Sequence, residues 1–305
     1  MKKTGKIKVS GKKQNHPLLG LTLGFVGVAA FSLTLPMTRL AVTSMGSETI
    51  AVWRGLLAAV AAGVILWLFY HRLPSRNDVL KLFITGLGVV VGFPLFMTYA
   101  METIPASHGA IVVGLLPITT AIISVFVDHE KPTTGFWGFS VLATIAVLIF
   151  IFRISDGGLK IGHIYLFIAV LSAAVGYALG GQAARHMGAI SVICWALVIM
   201  LPFLVLASFF VAPVPWSAPI EAILPFLYLA FISQLAGFFA WYAGLAMGGV
   251  ARVSQVQQLQ IFLTLIATAF MQSEPLSSEM WLFAVVVVVC VVMSARFRIG
   301  VSDNA

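Results

Sequence analysis

Ala251-Arg252-Val253-Ser254-Gln255-Val256-Gln257-Gln258-Leu259-Gln260 opens a run that stays largely apolar through Phe270. The run is about 20 residues long, the length that crosses a hydrocarbon core as a helix. Four glutamines lie in it, and each amide loses its water partners in a membrane unless a neighbouring helix or a wet cavity replaces them. At about 100° per residue, Gln257, Gln260, Thr264 and Thr268 share a sector roughly 80° wide, while Gln255 and Gln258 fall on another. One reading is interhelical hydrogen bonding, worth about 1 kcal/mol per bond. The other is the wall of a substrate cavity. Four amides and two threonines on one segment favour the wall. Gln257, Gln260 and Thr264, with Gln258 beside them, are therefore candidate substrate-binding residues.

The rest of the chain carries the same signature. Its 305 residues are 60% hydrophobic and only 9% charged, where a soluble domain carries about 25% charged residues. Mean hydropathy is +1.05. The expected fold class is all-α, a polytopic membrane protein. Cys194 and Cys290 both lie in apolar runs and read as small buried side chains, not as a disulfide or metal pair. Lys2, Lys3, Lys6, Lys8, Lys12 and Lys13 precede Pro17 like the charged start of a signal peptide. The apolar run that follows, about 22 residues, is too long for a signal core. Residues 1–16 are read as a basic cytoplasmic tail and the run as a retained first helix.

Ten apolar segments can be marked, at 18–40, 49–70, 79–101, 107–127, 134–153, 162–184, 190–211, 222–245, 251–271 and 279–297. Short breaks rich in Pro, Gly and charge separate them, among them His71-Arg72-Leu73-Pro74-Ser75-Arg76 and Asp128-His129-Glu130-Lys131-Pro132. If the amino terminus is inside, the cytoplasmic side holds the six tail lysines, Arg72, Arg76, Lys81, Lys131, Arg185, Arg252, Arg296 and Arg298. The other side holds Arg39, Arg54, Arg153 and Lys160. The split is 14 against 4 of the 18 Lys and Arg residues, which places both termini in the cytoplasm. Topology thus accounts for the formal charge of +8 without nucleic acid.

The chain also repeats. An offset of 143 joins Tyr99-Ala100 to Tyr242-Ala243 and Pro132 to Pro275, and an offset of 142 joins Gly20 to Gly162, Met45-Gly46 to Met187-Gly188, and Trp53 to Trp195. Two five-helix units follow, and because five is odd the second enters the membrane inverted. Inverted repeats characterise secondary transporters, whose site lies near the midplane between the halves. Small residues four apart, such as Gly20 and Gly24, Gly88 and Gly92, Gly176 and Gly180, and Gly244 and Gly248, are candidate surfaces for close helix packing. Pro36, Pro94, Pro117 and Pro202 lie within spans and should kink or open them.

Other polar and aromatic residues could carry function. Arg54 begins the second span and is read either as anchored at the interface, where it could pair with Glu48, or as a fixed positive charge at the mouth of the pathway. Arg39, at the end of the first span, is read the same way. Tyr99, Tyr177, Trp241 and Tyr242 are candidate cavity aromatics. Gln182 and Gln234 read equally as helix-bridging amides, and His108 as a wetted residue near the outer surface. No Asp or Glu lies in the middle of a span, which argues against exchange of a cation for a proton at a buried carboxylate. Phosphate-cradling and metalloprotease motifs are missing from the sequence, so ATP-driven transport, intramembrane metalloproteolysis, metals and cofactors are not expected.

The chain resembles the paired EamA domains of the drug/metabolite transporter superfamily over residues 18–297. Ala106-Ser107-His108-Gly109-Ala110, Leu116-Pro117 and Glu130-Lys131-Pro132 recur as Ala251-Arg252-Val253-Ser254-Gln255, Gln260 and Glu274-Pro275. Arg54 after Trp53 matches the arginine common in that family's second helix, and Arg39 the basic end of its first. Gln260 departs from the proline that Pro117 supplies, and Ser273 stands where a glycine usually precedes the glutamate. The resemblance implies a ten-helix carrier with EamA-like repeats at 17–153 and 160–298. It also implies a cavity lined by the first, third, fourth, sixth, eighth and ninth helices. The expected activity is alternating-access movement of a small, amino-acid-like metabolite across the cytoplasmic membrane, export favoured, with the lipid bilayer as surroundings and a monomer sufficient. The alternatives are a carrier of anionic or lipid-linked metabolites and a channel or non-transporting scaffold.

Overall fold

The computed structural model describes residues 17–69, 73–128, 133–154, 159–248 and 253–296. The basic tail, Arg72, Glu130, Lys131, Asp156 and Arg252 lie outside the described residues, as does the side chain of Gln255. Eight described helices are long and apolar enough to cross a membrane: α1 (Leu18–Ala41), α2 (Ser47–Phe69), α3 (Arg76–Thr103), α4 (Ala106–Val127), α5 (Thr134–Arg153), α6 (Ile161–Met187), α7 (Ala189–Ser208) and α8 (Ile220–Gly248). Two more complete the bundle, α9 (Leu259–Gln272), entered through a 3-10 turn at Ser254–Gln258, and α10 (Ser278–Arg296). They form two inverted five-helix repeats, α1–α5 and α6–α10.

Proline sets the local irregularities. α1 is interrupted at Leu33 and resumes at Thr34. Pro36 has no N–H to return to the Ser32 carbonyl, and Thr264 Oγ1 on α9 donates to that oxygen instead, at 2.8 Å. α3 loosens into π-helix over Leu87–Gly92, where the Phe93 N–H reaches back to Gly88 O. In that register the next donor would run from residue 94 to Val89 O, and residue 94 is proline. Gln234 Nε2 on α8 fills the place, donating to Val89 O at 2.9 Å.

α8 carries the counterpart, a π-helix over Tyr228–Ala236. The sequence offset of 143 carries 87–92 onto 230–235, inside it. Here Gly237 stands at the position of Pro94, and its own N–H closes on Ile232 O. No side chain has to substitute, and the position matching Gln234 in the first repeat is Val91. The two repeats share the π geometry and differ in what completes it.

Glycine sets how tightly the repeats cross. A Cβ on Gly20 would lie 2.5 Å from Gly248 Cα, so α1 and α8 meet backbone to backbone at the end of the bundle where α1 begins. A Cβ on Gly162 would lie 2.3 Å from Thr103 Oγ1 and 3.2 Å from Ala100 O, closing α6 onto α3 at the opposite end. The pair that the sequence offset joins thus holds equivalent crossings at the two ends. Adding a methyl at Gly20 forces the backbones apart. Gly20→Ala should therefore lower stability by about 1–3 kcal/mol. Gly138→Ala, where a Cβ meets nothing within 4 Å, should not. Thermal unfolding of the two variants in detergent checks it, and equal melting temperatures would contradict the close crossing.

Candidate substrate-binding cavity

Between the repeats lies a narrow cavity with a free volume of about 20 Å³, room for about one water molecule, so a larger ligand requires the helices to part. It draws on α1, α3, α4, α6, α8 and α9, the six helices implied by the resemblance, and on α2, which contributes Arg54. The two π segments deliver Val89, Ser233 and Gln234 to its wall, in keeping with the frequency of π-bulges at functional sites.

Arg54 differs from its interface reading. It is 1% exposed, and it does not pair with Glu48, which instead accepts from the Tyr99 hydroxyl at 2.9 Å. Arg54 enters the bundle because α2 turns that face toward α8, where Nη2 donates to Ser233 Oγ at 3.1 Å. Ser233 Oγ in turn shares a 2.8 Å hydrogen bond with Thr34 Oγ1. Arg54 Nε and Nη1 have no acceptor among the described residues. Gln260 also reaches the cavity, with Oε1 lacking a donor among those residues. Phe31, Phe93, Tyr177 and Phe238 make the rest of the wall largely aromatic.

Seven other candidates lie elsewhere. Trp241 sits behind the wall, its ring 5.6 Å from Tyr177 and 6.3 Å from Phe31. The Tyr242 hydroxyl donates to Gly176 O at 3.1 Å and bridges α8 to α6. Thr264 is spent on Ser32 O, as described. Gln257 and Gln258 are each 3% exposed and do not line the cavity, and neither amide has a partner among the described residues. Of the stripe Gln257–Gln260–Thr264, only Gln260 stands at the depth of the cavity, with Gln257 a turn before it in the 3-10 segment Ser254–Gln258 and Thr264 a turn beyond it. Tyr99 lies on the side of the bundle opposite the start of α1, with Glu48. Arg39 lies there too, donating to Met101 O and lining an open depression with Glu102 and Glu274.

That side is tied across the repeats. Glu274 accepts from the Ala106 and Ser107 amides at 3.1 and 3.0 Å, supplying acceptors to the free N–H groups at the start of α4. Ser273 makes this possible by taking φ 52°, the left-handed conformation that a glycine would adopt more easily. Gln272 Nε2 donates to Pro36 O at 2.7 Å. His108 departs from its wetted reading. It is 8% exposed, stacked on His163 at 6.3 Å and edge-on to Phe150. At the end of the bundle where α1 begins, Gln182 accepts from Lys81 Nζ at 2.9 Å. The sequence reading passed over Thr34, Ser233 and Phe31. The adjacent polar pair Ser233-Gln234 within an otherwise apolar run was the available signal.

Ten helices in inverted repeats around a central cavity define a multi-pass membrane transporter. The chain belongs to the EamA-like transporter family, whose model matches residues 18–152 and 160–296. It is 36% identical over 284 residues to the uncharacterized transporter YdeK of Bacillus subtilis (strain 168), covering 93% of this chain and 99% of that protein. It is 24% identical over 260 residues to the uncharacterized transporter YyaM of the same strain, covering 81% and 85%. A crystal structure at 14% identity superposes with a TM-score of 0.64 over 90% of this chain and 97% of that one, a likeness of fold alone.

The Gln234–Val89 bond carries its own prediction. Gln234→Leu leaves a buried carbonyl without a donor and should cost about 1–3 kcal/mol. In a Pro94→Ala background the backbone N–H restored at position 94 can serve Val89 O, so most of that cost should vanish. A double-mutant cycle on melting temperature measures the coupling. Additive losses would mean that Pro94 does not create the need for Gln234.

Proposed function

We propose that the chain is a secondary carrier that moves a small, amino-acid-like metabolite across the cytoplasmic membrane by alternating access, as a monomer. The observation that carries this reading is the central cavity between two repeats whose repeat-related crossings, at Gly20 and Gly162, pack tightly at opposite ends. Loosening one crossing while the other stays shut would open the cavity to one side at a time. The polar groups set in the wall, Arg54, Thr34, Ser233, Gln234 and Gln260, favour a solute over lipid. Both termini are assigned to the cytoplasm on the 14-to-4 division of basic residues, with residues 1–16 as a tail and 17–153 and 160–298 as the two units. Export is the proposed direction. No carboxylate among the described residues is buried at mid-span where a proton gradient could drive accumulation.

Purified protein in proteoliposomes should show saturable, trans-stimulated counterflow of radiolabelled leucine. A flux linear in concentration would indicate a channel, and no flux of leucine or other small metabolites would favour a scaffold. Orientation has a separate test. Cysteines introduced at Ser75 and Ser217, both exposed, should react with an impermeant maleimide from opposite sides, Ser75 from the cytoplasm. Labelling of both from one side would overturn the assigned topology.

A further inference from the structure

We infer that Arg54, with the hydroxyls beside it, forms a carboxylate subsite, and that the ligand is a small organic acid with an apolar tail, apolar amino acids included. This rests on the carrier reading only in taking the bound acid to be cargo.

The charge of Arg54 has no counter-ion among the described residues. The guanidinium is buried in the bundle, and its one protein partner among those residues is a hydroxyl, Ser233. The carboxylates that could have balanced it are engaged at the far side of the bundle: Glu48 with Tyr99, Glu102 with Ser47, and Glu274 with the start of α4. A buried cation left alone is strongly unfavourable, and such a group persists where a ligand completes it. Arg54 lines the cavity, and its Nε and Nη1 lack acceptors among the described residues. A planar fork of N–H donors matches the two oxygens of a carboxylate.

The rest of the wall narrows the class. Among the described residues, Arg54 is the only lysine or arginine lining the cavity, so one negative charge balances it and a phosphate dianion leaves an excess. No acidic side chain among them lines the cavity, which disfavours a net cationic ligand. Phe31, Phe93, Tyr177 and Phe238 offer apolar and aromatic surface to a tail. Gln260 Oε1 offers an acceptor to an ammonium. An apolar amino acid can use all three features, and the corresponding acid without its amine can use the first two.

The test uses the full chain in lipid nanodiscs with leucine, 4-methylpentanoate, leucinamide and inorganic phosphate as probes, read by melting temperature and calorimetry. Leucine and 4-methylpentanoate should bind and stabilise, while leucinamide and phosphate should not. Arg54→Met should weaken both acids by about 30-fold or more, the lower end of what truncating one partner of a buried charge pair costs. Arg54→Lys should retain part of the affinity, because it keeps the charge without the fork. Without ligand, Arg54→Met should melt no lower than the wild type, since it removes an uncompensated charge. A lower melting temperature would make Arg54 a structural residue. Equal binding of leucine and leucinamide, tighter binding of phosphate, acid binding unchanged in Arg54→Met, or no acid binding to the wild type would each overturn the subsite. Leucine counterflow that is indifferent to Arg54 would leave the carrier standing without the subsite. Arg54-dependent acid binding without counterflow would leave the subsite and remove the carrier.

Discussion

The hydrogen bond from Gln234 Nε2 to Val89 O joins the two repeats in the middle of the bundle. A carbonyl at that depth has no water to turn to and must find a donor in the protein. Pro94 withholds the backbone donor, so α8 has to approach α3 with an amide in the right place. The constraint fixes more than one contact. It holds the two π segments against each other, and these segments shape the cavity and present Ser233 to Arg54. The same logic recurs where Thr264 serves the carbonyl freed by Pro36. Donors on one repeat complete acceptors on the other, so the halves are interdependent although each is built to the same plan.

Among the described residues, polar side chains divide between bonds that bridge helices, each worth about 1 kcal/mol, bonds to their own helix such as Thr38 to Thr34 O, and buried groups without a partner, Gln257, Gln258 and Arg54 among them. Arg54 spends one nitrogen on Ser233 and leaves two without an acceptor among the described residues. A transporter has to bind its cargo and release it, which calls for groups whose partners come and go.

Much of the fold is legible in the sequence. The ten apolar runs, the breaks between them and the constant offset of 142–143 follow from side-chain hydropathy and from duplication of one unit. Helix ends moved by a few residues, as with 79–101 against Arg76–Thr103, because termini extend into the interface where polar residues are tolerated. The candidate site was legible only in part. Arg54, Gln260 and Tyr177 meet at one cavity, while Gln257, Gln258, Thr264, Tyr99, Trp241, Tyr242 and Arg39 are placed elsewhere. Angular arithmetic sorts residues by face and not by depth, and Gln257 and Thr264 lie a turn to either side of Gln260, the member of the stripe that lines the cavity.

The sequence by itself determined that the chain lives in a membrane, that it is a doubled unit with one copy inverted, and that no acidic residue sits at mid-span. These are properties of composition and periodicity, which local chemistry dictates. Only the tertiary structure decided which polar residues are consumed in holding helices together and which are left over. That depends on who stands opposite whom. Arg54 and Ser233 are separated by 179 positions, and nothing along the chain signals that an apparent interface arginine turns inward to meet a serine on α8. Arg54 is buried where α8 supplies a hydroxyl, while Glu48, Glu102 and Glu274 are engaged at the far face of the bundle.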